Sequence, residues 1–381
     1  MRSSSKIRQH FESLQDPRVV PRTDHPLLTV VLMAVIAVIG GAEGWEEIED
    51  FAEDRKDWFA KFLDMPNGVP SESTFYRVFR ALEPRAFAAC MQSWVKSLAE
   101  CLAGQVVAFD GKTLRGALAR ATPGSKLHMV NVWACEQRLL LAQQAVEGAP
   151  EEIAGVRDLL AVLELKGALV TADAAHCCRE TAQAILEREA DYLLHLKANR
   201  GAAYEVAVGY FTAARADGFA GVTVRHSRTE DEGHGRIETR EAWSIPAKAC
   251  VLPGEDWPSL KSITFVERTR IVGEKTSCEL HIFLSNLAPT VKRLARSARE
   301  HWQIENGLHW TLDVQMGEDR CAVHEANAAA LLATMRGMAV TLLLRDDTCR
   351  RGKRIRGVAA KRAKAGRNTE YLEHVLSLGI T

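Results

Sequence analysis

Three acidic residues stand where the sequence can bring them together around divalent cations. Asp110 and Asp173 each end an apolar run, and Glu305 lies in a segment with helical spacing. Carboxylate oxygens are the ligands that Mg²⁺ and Mn²⁺ prefer, and a site with two such ions cuts and joins phosphodiester bonds. The pattern therefore favours a metal-dependent nucleotidyl transferase that acts on DNA, with these three residues as metal ligands and catalytic groups.

Each of these residues also has a simpler explanation when it is taken alone. Aspartate favours helix N-caps and turns without any catalytic role, and most helix glutamates are solvated. Ligands nevertheless collect at strand ends in α/β sheets, and the small residues Gly111 and Ala174 directly after the two aspartates leave room there. The catalytic interpretation therefore depends on all three carboxylates converging.

The composition is that of an ordinary globular protein without an overall excess of basic residues. The 381 residues are 47% hydrophobic, and 49 basic side chains balance 49 acidic ones, so any DNA contact must come from local charge. Nine cysteines without CxxC pairs indicate a reducing compartment. The longest apolar stretch, Leu27–Gly41, is too short to span a bilayer. We therefore expect a cytoplasmic protein with no membrane partner.

Three domains follow from the changes of pattern along the chain. Residues 1–103 are helical in pattern and form an N-terminal domain that is a candidate for DNA binding. Residues 104–344 alternate short apolar runs with helical segments in the order β-β-β-α-β-α-β, which suits a mixed sheet covered by helices. Within them, residues from about 200 to 290 alternate like antiparallel strands and predict a β-rich insertion. Residues 345–381 form a basic C-terminal tail.

Two further segments have more than one interpretation. The helix predicted at Ser71–Leu82 is either the second helix of a helix-turn-helix, with Arg77 and Arg80 on its polar face, or a packing helix of a bundle. The stretch from Arg345 to Arg367 holds ten basic residues and two acidic ones. It is either a solvated terminus or a DNA contact in which cations such as Arg351 and Arg354 bind phosphates.

A set of motifs in a characteristic order makes the chain resemble a known family. The motifs resemble those of the H-repeat-associated, ISAs-type DDE transposases of bacterial insertion sequences. The resemblance covers residues from about 24 to 376, and the segment GAEGWEEIEDFA is similar to that family's associated N-terminal domain. The motifs that carry it are FDGKTLRGA, TADAAHC, DYLLHLKANR, EGHGRIETR and HWQIENGLHWTLDVQMGEDR.

The resemblance implies a fold, a catalytic triad and a set of DNA contacts. The fold is an α/β, RNase H-like mixed sheet flanked by helices, interrupted by the β-rich insertion and preceded by the all-helical domain. The triad is Asp110, Asp173 and Glu305, which would hold two Mg²⁺ or Mn²⁺ ions. The basic positions expected to face DNA phosphates are Lys112, Arg115, Lys197 and Arg236.

The sequence departs from the family around the third carboxylate. Broader relatives carry a Tyr, an Arg and a Lys there, and this chain has Ala298, His301 and Leu312 at those offsets. His301, His309 and Asp313 are the candidates to replace them, with His301 expected to contact DNA. Asp313 is either a fourth carboxylate at the metals or an ordinary acid at the start of the next element.

The functional expectation is DNA transposition. The protein would cut one strand at each end of an insertion sequence and transfer the freed 3′-hydroxyl to target DNA, working as a homodimer assembled on double-stranded DNA. One alternative is a metal-dependent nuclease on the same fold that no longer joins strands. The other is a DNA-binding repressor with an inactive core, which needs no acids facing phosphate.

Overall fold

The structure is a computed structural model that describes residues 2–19, 23–116, 127–148, 151–233, 235–253 and 256–379. Its strands, numbered in chain order, are β1 Val106–Leu114, β2 Leu127–Ala134, β3 Leu139–Val146, β4 Leu169–Ala172, β5 Asp191–Leu196, β6 Arg225–Gly233, β7 Arg236–Pro246, β8 Ser262–Val272, β9 Lys275–Ser285, β10 Arg350–Arg351 and β11 Arg354–Ile355.

The helices alternate with these strands and frame them at both ends of the chain. They are α1 Arg2–Phe11, α2 Leu27–Gly40, α3 Trp45–Glu53, α4 Lys56–Phe59, α5 Glu72–Ala81, α6 Pro84–Leu98, α7 Glu152–Val162, α8 Arg179–Glu187, α9 Gly201–Ala216, α10 Val291–His301, α11 Ala326–Arg345, α12 Val358–Ala365 and α13 Thr369–Ser377. The π-helical segments Ile304–His309 and Thr311–Gln315 lie between α10 and α11.

The chain forms two compact units, and the division runs through β1 and α7. The first unit comprises Met1–Glu100, Gly111–Gly155 and Ile304–Thr381, and the second comprises Cys101–Asp110 and Val156–Gln303. The three domains predicted from the sequence follow other boundaries and stay a prediction.

The second unit is built on a mixed sheet. Its strands follow in the order β1-β4-β5-β9-β8-β7-β6. The first three are parallel, and the remaining neighbours pair antiparallel. β4 is buried along its whole length, as expected for a parallel strand whose two faces are both covered. In the first unit β2 and β3 form an antiparallel pair. The mixed sheet with flanking helices confirms the predicted α/β fold class.

The predicted β-rich insertion is present, but it does not consist of strands alone. Strands β6 to β9 form an antiparallel ribbon that follows the 16-residue helix α9. Helix α9 was not predicted from the sequence, because its buried face is a sparse set of residues, Ala207, Phe211 and Ala214, and Gly209 interrupts it. β6 was also missed, because it is polar throughout and lacks the alternation that identifies a strand.

The core of the first unit is helical. Helix α2 is buried from Thr29 to Gly40, as its continuous apolar sequence predicts, and it packs against α3, α5, α11 and α12. Helix α11 is long and apolar enough to span a membrane by length and composition, but 89% of that stretch is buried inside the protein. Its sixteen buried residues run from Ala328 to Leu343, so α11 serves as a central packing helix.

The segment predicted as a basic tail folds onto this core. β10 and β11 form a short antiparallel hairpin, and α12 and α13 follow it. Arg362 is 5% exposed and donates hydrogen bonds to the Ala42 carbonyl, at 2.9 Å, and to Glu43 Oε1, at 3.1 Å. Part of the positive charge of this segment therefore stabilises the fold, and the remainder lies on the surface.

Asp346 anchors the chain between α11 and the hairpin. Its carboxylate accepts hydrogen bonds from the Thr348 amide at 2.9 Å and from the Tyr371 hydroxyl at 2.6 Å. Lys361 Nζ donates to the Leu343 carbonyl at 2.7 Å and to the Asp346 carbonyl. Burial alone would raise the pKa of the Asp346 carboxyl, but the hydrogen bonds from Thr348, Tyr371 and Cys349 outweigh it and hold this pKa far below its usual range.

We expect Asp346→Asn to lower the free energy of unfolding by about 2–4 kcal/mol, because it removes charge-assisted hydrogen bonds from a buried site. The folded-state pKa of Asp346 is depressed, so its stabilisation is present above the unfolded pKa of about 3.9 and is lost as the pH falls through the folded-state pKa. Urea unfolding against pH measures this. Asp347→Asn is the matched control, because the neighbouring side chain is 74% exposed. Equal losses in both variants would contradict the assignment.

Candidate active site

Two of the predicted carboxylates come together at one edge of the sheet in the second unit. Phe109 of β1 pairs with Ala172 of β4 in a parallel ladder, and these are the last paired residues of the ladder. Asp110 and Asp173 directly follow these paired residues along the chain. Because neighbouring strands lie about 4.8 Å apart, the two aspartates leave the same edge side by side. β1 continues to Leu114, so Asp110 lies at the end of this ladder and not at the end of its strand.

The local backbone holds Asp173 in place. Its side chain caps the short 3₁₀ turn Ala174–His176 by accepting a hydrogen bond from the Ala175 amide at 2.9 Å. Asn199 Nδ2, in the turn after β5, donates to the Ala174 carbonyl at 2.7 Å and joins the ends of two neighbouring strands. The Asp173 side chain stays 38% exposed. Its N-cap role and a ligand role are therefore compatible, because a carboxylate has a second oxygen to offer.

A lysine and a histidine flank this carboxylate pair within the second unit. Lys197 is exposed and follows β5, whose Leu194 pairs with Ala172, so it extends from the same edge. His301, at the end of α10, is buried, and its Nδ1 lies 2.9 Å from Thr171 Oγ1. Burial lowers the pKa of His301 to about 4, and the attraction of Asp173 only partly opposes it.

The structure does not favour the expectation that His301 contacts DNA. Its ring is 6% exposed and neutral at physiological pH, so it offers neither a surface nor a charge to a phosphate. The hydrogen bond with Thr171 makes it a packing group that fixes the end of α10 against β4. The sequence did not show this, because the partner lies 130 residues away.

Glu305, the third predicted carboxylate, belongs to the first unit. It lies in the π-helical segment Ile304–His309, which buries Ile304 and Leu308 and leaves Glu305 exposed. Turns of π-helix occur mostly as short bulges, frequently at functional sites. Trp310, which follows this segment, is 50% exposed. Ile304 and Leu308 therefore anchor one side of the segment, and the place of Glu305 in a triad stays a prediction.

A polar chain inside the first unit holds the π-helical segment against the strands. Asn131 Nδ2 of β2 lies 3.2 Å from His309 Nε2, and Gln143 Nε2 of β3 donates to Asn131 Oδ1 at 2.7 Å. Asn131 and Gln143 are nearly fully buried. The sequence analysis did not predict a role for either residue. A polar side chain within an otherwise apolar strand could have indicated one.

Lys112 forms a buried ion cluster with two acids of the first unit. Its ammonium is 7% exposed and contacts Asp313 Oδ1 at 2.6 Å and the Glu318 carboxylate, which is 1% exposed. Burial opposes the charged form, but the attraction of Glu318 and Asp313 outweighs it and raises the pKa of Lys112. In this structure Lys112 therefore binds two carboxylates where the sequence predicted a DNA phosphate.

His128, Glu152 and Gly111 fill a second polar site of the first unit. His128 Nε2 lies 2.6 Å from Glu152 Oε2, and its Nδ1 lies 3.0 Å from Thr113 Oγ1. A Cβ at Gly111 would collide with both His128 and the Glu152 carboxylate. The glycine after Asp110 is therefore required for close packing on this side of β1.

The other predicted DNA contacts lie on the surface. Arg115 is exposed directly after β1, and Arg236 is exposed at the start of β7, with Glu238 at 3.9 Å. Arg351 and Arg354 face each other across the β10–β11 hairpin and are both exposed. These positions are accessible to phosphates, and their contact with DNA stays a prediction.

Comparison with known proteins identifies the family. The family model described as "Transposase DDE domain" matches residues 102–342, and the one described as "DDE_Tnp_1-associated" matches residues 8–95. The first match alone covers more than half of the chain. The chain therefore belongs to the DDE transposase family, and family membership implies the use of a divalent metal.

Full-length relatives place the chain in the H repeat-associated group. "Putative transposase YncI" of Escherichia coli O157:H7 is 33% identical over 98% of this chain and 95% of its own length. "H repeat-associated putative transposase YhhI" of Escherichia coli K12 is 30% identical over 98% of both chains. The cryo-EM structure of the piggyBac transposase synaptic complex with hairpin DNA aligns with 99% of this chain and 76% of its own, at a TM-score of 0.44 and 9% identity.

We expect Lys112→Met to lower the free energy of unfolding by about 3–5 kcal/mol, because it leaves the Glu318 carboxylate buried without a counter-charge. The double variant Lys112→Met/Glu318→Gln should recover a large part of that loss. Arg115→Met, three residues later and exposed, is the control and should change stability by less than about 0.5 kcal/mol. Urea unfolding measures all three, and a double variant no more stable than Lys112→Met would refute the ion cluster.

Proposed function

We propose that this protein is an active transposase of a bacterial insertion sequence, which cuts one DNA strand at each element end and transfers the freed 3′-hydroxyl to target DNA. The observation that carries the proposal is the register of β1 and β4. It sets Asp110 and Asp173 directly after the paired residues Phe109 and Ala172, in a chain of the DDE transposase family.

The donor set at this edge fits a hard divalent cation. Asp110 and Asp173 offer carboxylate oxygens from adjacent strands, and Glu305 is the third proposed ligand. Oxygen donors of this kind suit Mg²⁺ and Mn²⁺, so we propose two such ions per active site. When bound, they would activate the attacking hydroxyl and stabilise the leaving oxygen of an in-line displacement.

The protein's own residues supply position and charge. The backbone hydrogen bond to Asp173 restricts the rotation of its carboxylate. A proposed metal ligand is thereby held in a small range of orientations. Lys197, exposed beyond β5, supplies a positive charge at the same edge for a DNA phosphate. The buried, neutral His301 fixes α10 against β4 and adds no charge beside the carboxylates.

DNA contact is assigned to exposed local charge, because the net charge of the whole chain is zero. Arg115, Lys197, Arg236, Arg351 and Arg354 are the proposed phosphate contacts. They bind without reading sequence, so they serve element ends and target DNA alike. The protein would work in the bacterial cytoplasm at the nucleoid, as a homodimer that pairs two element ends.

We expect Asp110→Asn and Asp173→Asn each to reduce metal-dependent cleavage of a labelled duplex carrying the element's own ends by more than about a hundredfold. Even the outer partners of metal ligands contribute roughly 10- to 100-fold, so loss of a ligand should cost more. Glu187→Gln, an exposed acid of α8, is the control and should cleave like the wild type. Products should end in 3′-hydroxyls and require Mg²⁺ or Mn²⁺.

Two results of this assay would indicate a different function for the protein. A third result would show that the active site lies elsewhere. Cleavage by the wild type without any joining of a 3′-hydroxyl to a second duplex would leave a metal-dependent nuclease. Tight binding of the ends without cleavage by the wild type would leave a DNA-binding repressor. Cleavage that survives both aspartate substitutions would remove Asp110 and Asp173 from the active site.

We expect the double variant Arg351→Gln/Arg354→Gln to weaken binding of the element ends and of unrelated duplex DNA by a similar factor. The slope of log affinity against log salt should fall by about 1 for every phosphate that the variant no longer binds. Fluorescence anisotropy across a salt series measures both. Lys248→Gln removes an exposed charge elsewhere and is the control. An unchanged slope would show that the hairpin does not bind phosphate.

A further inference from the structure

Strand β6 forms an edge of the sheet in the second unit. Its nine residues, Arg225–Gly233, pair in register with β7 along one side, and β6 is the last strand in the sheet order. No other strand in the described part of the chain pairs along its outer side. Eight of its nine residues are exposed. An edge of this length offers a row of backbone donors and acceptors to another strand.

The charges along this edge are segregated by sign. The first half carries the cations Arg225 and Arg228, with His226 between them, and the second half carries Glu230, Asp231 and Glu232. Thr229 lies at the midpoint. Charges scattered along an edge strand discourage pairing with any partner. A strand that is basic at one end and acidic at the other instead complements a second copy of itself in antiparallel orientation.

The register of such a pair follows from the charges. Centred on Thr229, an antiparallel pair sets Arg228 of each copy opposite Glu230 of the other, and His226 opposite Glu232. Residues directly opposite have Cβ atoms about 4.5–5.5 Å apart, where opposite charges stabilise and like charges destabilise the sheet. Thr229 faces its own copy on the two-fold axis.

Neighbouring registers are disfavoured. Residues opposite each other in an antiparallel pair direct their backbone groups either both toward the partner strand or both away from it, so the centre of a two-fold pair falls on a residue. A shift of the centre to Arg228, Glu230 or Asp231 places two identical charges opposite each other, and a shift to Ser227 places His226 opposite Arg228. A parallel, in-register pair would align like charges along the whole edge.

We propose that β6 is the homodimer interface of this protein, through which the sheets of two copies join in antiparallel register about Thr229. The interface is isologous, with each contact made twice. Arg228 and Glu230 are available for it, because both are more than half exposed and their contact within one chain, at 3.3 Å, lies on the surface. Asp231 already binds Arg240 and Arg299, so it is not needed for pairing across the interface.

The decisive experiment uses charge reversal in the full-length protein and measures the dimer dissociation constant by analytical ultracentrifugation. No DNA or metal is added, so the outcome does not depend on the proposed cleavage activity. Arg228→Glu alone and Glu230→Arg alone should each weaken the homodimer by about tenfold or more, because two attractive cross-strand contacts become repulsive. The double variant should recover the wild-type constant.

Mixing the two single variants provides the sharpest test. In the heterodimer the glutamate introduced at position 228 of one copy would face the arginine introduced at position 230 of the other. The native Glu230 of the first copy would face the native Arg228 of the second, so both contacts are attractive and the mixture should dimerise like the wild type. A general loss of folding in either variant cannot produce that recovery. A wild type that stays monomeric across the concentration series, or a mixture no tighter than its components, overturns the proposal.

A crosslink tests the register independently. Thr229→Cys, in a background with the exposed Cys101 and Cys278 changed to serine, should form an intermolecular disulfide under mild oxidation, because residue 229 faces itself across the two-fold axis. Ser227→Cys in the same background is the control, since its partner position is Asp231. Equal crosslinking at both positions would contradict the proposed register.

Discussion

The parallel pairing of β1 with β4 is the interaction on which the candidate active site depends. Val106 to Phe109 pair with Leu169 to Ala172, and this register alone sets Asp110 beside Asp173. Successive side chains of a strand point to opposite faces, so a slip of one residue would turn one aspartate away from the other. Because the paired residues are buried and nearly all apolar, a slip would also expose core side chains. The packing of these strands therefore keeps the two aspartates side by side.

Positive charge near Asp110 and Asp173 in the sequence and the fold is reduced by burial as well as by ion pairing. Lys112 follows Asp110 by two residues, yet Asp313 and Glu318 bind its ammonium, so it serves the packing of the first unit. His301 is kept neutral by burial. Among the basic residues that the sequence predicted as DNA contacts, only the exposed ones remain candidates for that role.

The parts of this structure that could be predicted from the sequence are those whose signal is local. The apolar runs before Asp110 and Asp173 indicated strands β1 and β4, and the continuous apolar run from Leu27 indicated the buried helix α2. Helix α9, whose apolar face is sparse, and strand β6, which has no buried face, were not predictable in this way. Nor was the contact of Lys112 with Glu318, 206 residues away, because no local pattern identifies partners at that separation.

The neutral composition of the chain has a structural explanation in how its charges are distributed. Cations such as Lys112 and Arg362 are buried against acids or backbone carbonyls and contribute nothing to an external field. Exposed cations of the β10–β11 hairpin stand together, and acids of β6 stand together at one end of an edge strand. A net charge of zero is therefore compatible with local surfaces of opposite charge. The basic hairpin can bind the phosphates of DNA. The β6 edge is basic at its start and acidic at its end, so it complements a partner strand that runs in the opposite direction.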